Sequence, residues 1–214
     1  MKQARFLYLF SVILLSFVFS GCLSISNSPA PRFYTLRLIN NVEESKKLDI
    51  ASKVIIGIGP IEIPEYQNRP QIVTQNKDGT LTFAQFERWG ESLDLGLARV
   101  ILENLTVMLP QAEFQVFPCN SAVPLNYQVI INIVQLESQL NKDVSLITQW
   151  TIIDSRAKEM LLTKRSEISQ AINPHNYFGL VQALSRSCTL LSSEIAENLS
   201  ELSKQPKAKD NSAQ

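Results

Sequence analysis

Only two stretches of this chain repeat their apolar residues at helical spacing, and nearly every other apolar run is short, β-branched and bounded by turn residues. That contrast narrows the fold class at once, because a helix face has a period of 3.6 residues and a strand face a period of 2. Residues 91–109 set Leu93, Leu97, Val100, Ile101, Leu105 and Met108 on one stripe, and Pro110 stops the segment. A second stripe carries Tyr177, Val181, Leu184, Cys188, Leu191, Ile195 and Leu199. It follows Asn173-Pro174, a capping residue with proline at the first helical position, and runs to about Leu202.

The rest reads as strands. Arg32–Leu38 forms a first strand, and the β-branched run Lys53–Ile63 a central one in which Gly57 and Gly59 allow a bend or a close approach. Gln71–Gln75 and Thr80–Phe86 flank Asn76-Lys77-Asp78-Gly79, a hairpin signal. A short strand at Glu113–Phe117 precedes a loop, Pro118–Pro124, that carries Cys119. Asn126–Leu136, Ser145–Ile153 and Met160–Ser169 then read as an antiparallel meander with a polar turn at 154–158. The order β-β-β-β-α-β-β-β-β-α predicts an α+β fold, one mainly antiparallel sheet with two helices packed on one face.

The amino terminus has a different character. Lys2 and Arg5 precede an apolar run from Phe6 to Phe19, and Ser20-Gly21-Cys22 follows. Basic, apolar and small-residue regions in that order read as a secretory signal over 1–21, and the run of about 14 residues falls short of the roughly 20 that a stable membrane span needs. Phe19-Ser20-Gly21-Cys22 resembles the bacterial lipobox, in which the thiol accepts diacylglycerol after cleavage, although Phe19 stands where Leu or Val is usual. The resemblance implies lipidation of Cys22. Leu23, rather than Asp, after it implies export to the outer membrane. Residues 22–31 would be a lipidated tether, rich in Ser, Asn and Pro and without charge, with nine extended residues reaching about 30 Å. The domain would occupy 32–202, and the polar segment 203–214 would be a disordered tail.

Loss of residues 1–21 leaves 193 residues, enough for one domain with its own core. Lys2 and Arg5 leave with the signal, so twenty acidic residues face eighteen basic ones. A chain so close to neutral argues against nucleic-acid binding. Catalytic patterns are absent. His175 is the only histidine and sits at the start of the second helix with no motif partner; an exposed polar residue describes it better than a general base. There is no G-x-S-x-G, P-loop or G-x-G-x-x-G, since Gly57-Ile58-Gly59 runs into Pro60. One His with scattered Cys does not make a zinc site, so neither catalytic residue, metal nor cofactor is expected. Cys119 and Cys188 read either as a disulfide in an oxidising compartment or as small buried apolar residues.

Two segments have interaction-type composition. Ile61–Thr74 packs two prolines, Tyr66 and Arg69 between strands, and Phe86–Gly90 joins a strand to the first helix around Trp89. Tyr, Trp and Arg favour binding hot spots. Tyr66, Arg69 and Trp89 are therefore candidate partner-binding residues, with a core position beside the helix the alternative for Trp89.

The same segments resemble the PqiC-like ABC-type transport auxiliary lipoproteins. The likeness begins at Cys22 and Phe33-Tyr34-Thr35-Leu36, continues through Ile56–Tyr66 and Arg69-Pro70-Gln71-Ile72-Val73-Thr74, and includes Arg88-Trp89-Gly90-Glu91-Ser92-Leu93 and the helix to Leu105. Gln67-Asn68 departs from the Leu-Asp usual there. The resemblance implies a non-enzymatic outer-membrane component working with an ABC or permease complex and MCE-type periplasmic proteins that move lipid between membranes. It leaves homo-oligomerisation open. A lipid-carrying binder and a structural envelope lipoprotein are the competing readings: an acyl-sized internal cavity would favour the former, a filled core the docking role.

Overall fold

The computed structural model describes residues 28–38, 47–50, 53–118 and 124–204. The signal segment, Cys22, Cys119 and residues 205–214 lie outside the described residues. Among the described residues eight strands and two helices follow one another in the predicted order: β1 Arg32–Tyr34, β2 Ile55–Glu62, β3 Gln71–Gln75, β4 Leu81–Trp89, α1 Leu93–Met108, β5 Glu113–Val116, β6 Tyr127–Ser138, β7 Asp143–Asp154, β8 Glu159–Ala171 and α2 Tyr177–Lys204. A single 3-10 turn, Glu65–Gln67, joins β2 to β3.

The strands divide into two mixed sheets, where the sequence suggests one that is mainly antiparallel. The larger has the order β5-β2-β6-β7-β8 and the smaller β1-β4-β3. β2 runs parallel to both neighbours, and β1 is parallel to β4. The β6-β7-β8 meander is antiparallel, as is the β3-β4 hairpin. β2 tolerates a central, two-sided position because its run is apolar on both faces: Ile56, Gly57, Ile58 and Gly59 are all buried. The chain between β2 and β6 supplies the hairpin, α1 and β5, a crossover long enough for parallel pairing.

Both helices pack on the larger sheet and on each other, α1 over β2 and β5, α2 over β7 and β8. Every predicted stripe residue of α1 is buried, and those of α2 from Val181 to Leu199 likewise. They meet Ile56, Ile58, Val129, Ile131, Leu146 and Trp150 of the sheet in one continuous core. Trp150, fully buried, donates its indole N–H to Ser166 Oγ at 2.8 Å, which removes the cost of hiding that donor. Ser166 in turn hydrogen-bonds Glu194 of α2.

Three of the boundaries that differ from the sequence reading bear on the surfaces described below. β1 ends at Tyr34 rather than Leu38, because its partner β4 ends at Trp89 and turns into α1. Gly90 N–H closes the pair on Tyr34 O at 2.7 Å, and Arg99 then takes Leu36 O at 2.9 Å. α2 starts at Tyr177, not at Asn173-Pro174. Asn176 caps it, accepting the Gly179 N–H at 2.9 Å, while the Pro174 carbonyl lies where a Gly179 side chain would stand. α2 also continues to Lys204, so residues 203 and 204 are helical rather than tail.

Candidate functional site

The first strand is fastened by a buried carboxylate. A bulge between β3 and β4 shifts the alternation of β4 after Ala84 and turns Glu87 inward, to 6% exposure. Arg32 Nε donates to Glu87 Oε1 and Oε2 at 2.9 and 3.0 Å, and Arg32 Nη2 pairs with Oε1. The Tyr34 hydroxyl donates to the same carboxylate. Burial alone would raise the Glu87 pKa, but the hydrogen bonds from Arg32 and Tyr34 and the Arg32 charge outweigh it and hold the group below its ordinary value. Burial pushes Tyr34 and Tyr177 upward, with the Glu87 charge adding to both. Tyr177 reaches across to Thr74 of β3, so one polar cluster ties β1, β3, β4 and the start of α2 together.

Beyond that cluster the chain after β1 lies alongside the amino half of α2, and a groove of about 590 Å³ opens between them. Phe33, Thr35 and Arg37 alternate outward along one wall. Phe178, Val181, Gln182, Ser185 and Arg186 form the other, the i, i+3, i+4, i+7, i+8 series of one helix face. This face flanks the core stripe of α2. Its legible sequence signal was a second, amphipathic series beside the buried one.

Tyr66 and Arg69 take different places from one another. The 3-10 turn carries Tyr66 inward far enough for its hydroxyl to donate to Leu136 O at 3.2 Å, beside Gln67 Nε2 on the same carbonyl at 2.8 Å. Burial raises the Tyr66 pKa. Arg69 lays its guanidinium over the Phe83 ring, 4.4 Å from the centroid, and its Nε is buried without a hydrogen-bond partner. Phe83 and Leu81 stand outward on β4, 45% and 37% exposed. Arg69 therefore belongs to a solvent-facing cation–aromatic surface that includes Phe83, a residue not singled out from the sequence.

Trp89 is elsewhere. At 7% exposure it belongs to the core, its backbone N–H donating to Pro70 O at 2.8 Å, which is the position the core alternative gives it. Cys188 is a free, wholly buried thiol whose pKa burial pushes up to about 12, as the small-apolar alternative requires of it; Cys119 lies outside the described residues. His175 is exposed. Among the described residues no group of three or more His, Cys, Asp or Glu side chains is placed to hold a metal ion, and no helix is long and apolar enough to cross a membrane.

The sequence from Tyr34 to Ala196 matches the model of a family described as the ABC-type transport auxiliary lipoprotein component, over residues 34–196. The chain belongs to that family. Its role is accordingly that of an accessory component of ABC-type transport, in a family of membrane-anchored lipoproteins. The crystal structure of an uncharacterized protein is similar with a TM-score of 0.65 at 16% identity, over 80% of this chain and 99% of that one. A Xanthomonas campestris protein is similar with a TM-score of 0.61 at 11% identity, over 77% of this chain and 92% of that one. At such identities the likeness establishes a shared fold. No curated protein matches the chain.

Proposed function

We propose that this family member is a non-enzymatic docking lipoprotein, anchored through Cys22 on the periplasmic face of the outer membrane, that receives an MCE-type partner of an ABC-type intermembrane lipid transport system. The observation that carries the reading is the Arg69–Phe83 surface. A guanidinium stacked on a half-exposed ring beside Leu81 has the composition of an interface centre. It sits on the β3-β4 hairpin and the turn before it, held from behind by the Tyr66 and Gln67 bonds to Leu136. Tyr66 acts there as a support and Arg69 with Phe83 as the contact. The filled core favours docking over internal carriage of lipid, since the residues facing inward from both helices and the larger sheet pack on one another.

The test is recovery of partners from envelope membranes with the full chain, wild type against Arg69→Glu/Phe83→Ser. Recovery of an MCE-type protein by wild type and its loss in the variant supports the reading. A folded, lipidated wild type that recovers no such protein refutes it and favours a structural envelope role.

A further inference from the structure

The groove beside β1 has its polarity laid out along its length. Tyr34 and Tyr177 both lie within reach of the Glu87 charge, whereas the Arg37 amide donates to Ser185 Oγ at 3.3 Å. The chain after β1 and the amino half of α2 therefore advance side by side in the same direction. Phe33 and Phe178 fall at one end, 65% and 54% exposed. Arg37 and Arg186 fall at the other, eight helical residues on, or about 12 Å. Val181 lies on the helix wall between them.

Among the described residues the cationic end carries no compensating acid, and no carboxylate lines the groove. Arg186 donates to two neutral acceptors, Ala171 O at 2.7 Å and Gln170 Oε1 at 3.3 Å. The Arg37 guanidinium has no partner among the described residues. Two guanidiniums without a counter-ion among the described residues at one end, and two solvent-facing rings at the other, complement a molecule that is anionic at its head and apolar along its body. A planar guanidinium pair suits phosphate, which it can engage with two parallel hydrogen bonds. The volume, about 590 Å³, suits one small ligand rather than a protein segment of interface size.

We propose that this groove binds a single anionic phospholipid, its phosphate against Arg37 and Arg186 and part of an acyl chain along Val181, Phe178 and Phe33. The choice of phospholipid among anionic amphiphiles rests on the lipid-transport reading above; the polarity of the groove does not.

The experiment is photolabelling of the full-length protein in phosphatidylcholine nanodiscs doped with a diazirine-bearing phosphatidylglycerol, followed by peptide mapping. Label is expected on residues 33–38 and 178–186, falling about fivefold in Arg37→Glu and further in Arg37→Glu/Arg186→Glu. Arg37→Glu removes no side-chain hydrogen bond or ion pair among the described residues, so its thermal melt should match wild type and any loss of label is a loss of binding. Label spread over other segments overturns the proposal, as does label undiminished in Arg37→Glu. Equal labelling by a diazirine phosphatidylcholine would mean simple contact with the bilayer and would also overturn it. So would displacement by inorganic phosphate alone, which would reduce the site to an anion pocket. Label kept in Arg69→Glu/Phe83→Ser while partner recovery is lost separates this groove from the docking surface. Label lost in Arg37→Glu with recovery kept assigns lipid binding to the groove and docking elsewhere.

Discussion

Replacing Glu87 by Gln keeps the shape of the side chain and removes its charge. In the native protein that carboxylate is almost fully buried and accepts from Arg32 and from Tyr34. A hydrogen bond to a buried charged acceptor contributes roughly 1.5–3 kcal/mol. Arg32 is exposed and can return to water when released, so the loss should lie near the lower end, about 2 kcal/mol. For a domain of this size that is a fall in Tm of roughly 4–8 °C at pH 7. The pH dependence sharpens the test. Glu87 titrates below its ordinary value of 4.5 in the folded protein, so the unfolded chain takes up this proton first as the pH falls. The stabilisation is full above pH 4.5 and disappears as the pH drops through the lower, folded value. Thermal melts of wild type and Glu87→Gln, followed by circular dichroism from pH 7 to pH 3, should start apart and converge on acidification. Curves that coincide at pH 7, or that separate further in acid, would refute the account of how β1 is held.

Other perturbations follow from the same geometry. Trp150→Ala empties a fully buried site and removes the indole donor to Ser166 Oγ, and should cost about 3–5 kcal/mol, read as a lower urea midpoint with an unchanged slope. Cys188, buried and with its thiol pushed up to about 12, should resist iodoacetamide at pH 8 in the folded protein and react only on unfolding. Gly90→Val sets a Cβ 3.0 Å from Thr35 Cγ2 and 3.4 Å from Tyr34 O. It should cost about 1–3 kcal/mol and expose the Arg32 peptide bond to trypsin, which wild type should resist for longer.

The order of elements was legible because each apolar run declares its own period. The α1 stripe from Leu93 to Met108 and the turn at Asp78-Gly79 needed no tertiary knowledge, and Gly79 indeed adopts φ +85° there. The partition into two sheets was not legible. Alternation fixes which face a residue takes, not which strand lies beside it, so nothing in Ile55–Glu62 announces two parallel neighbours. Bulges hide in the same way. Between Ile133 and Gln135 the β6 register shifts, leaving Val134 outward and Leu136 inward, and the β3-β4 irregularity buries Glu87. For the candidate surfaces, Arg69 carried a usable compositional signal, while Trp89 was drawn into the core by packing beside α1. The helix wall of the groove had a local series, but its pairing with the chain after β1 had no short-range signal, because Arg37 and Ser185 are 148 residues apart in the chain.

β1 is three residues long and is the first strand of the chain among the described residues. If Cys22 is held at a membrane, a pull between membrane and partner reaches that strand first among the described elements, where the Arg32–Glu87 clasp and a few backbone bonds to β4 resist it. That makes β1 a mechanical fuse. Under load it would peel before the larger sheet is strained, and freeing residues 32–34 would add roughly 10 Å of slack to the leash, letting the anchored body follow a moving partner while Leu36 keeps its place in the core.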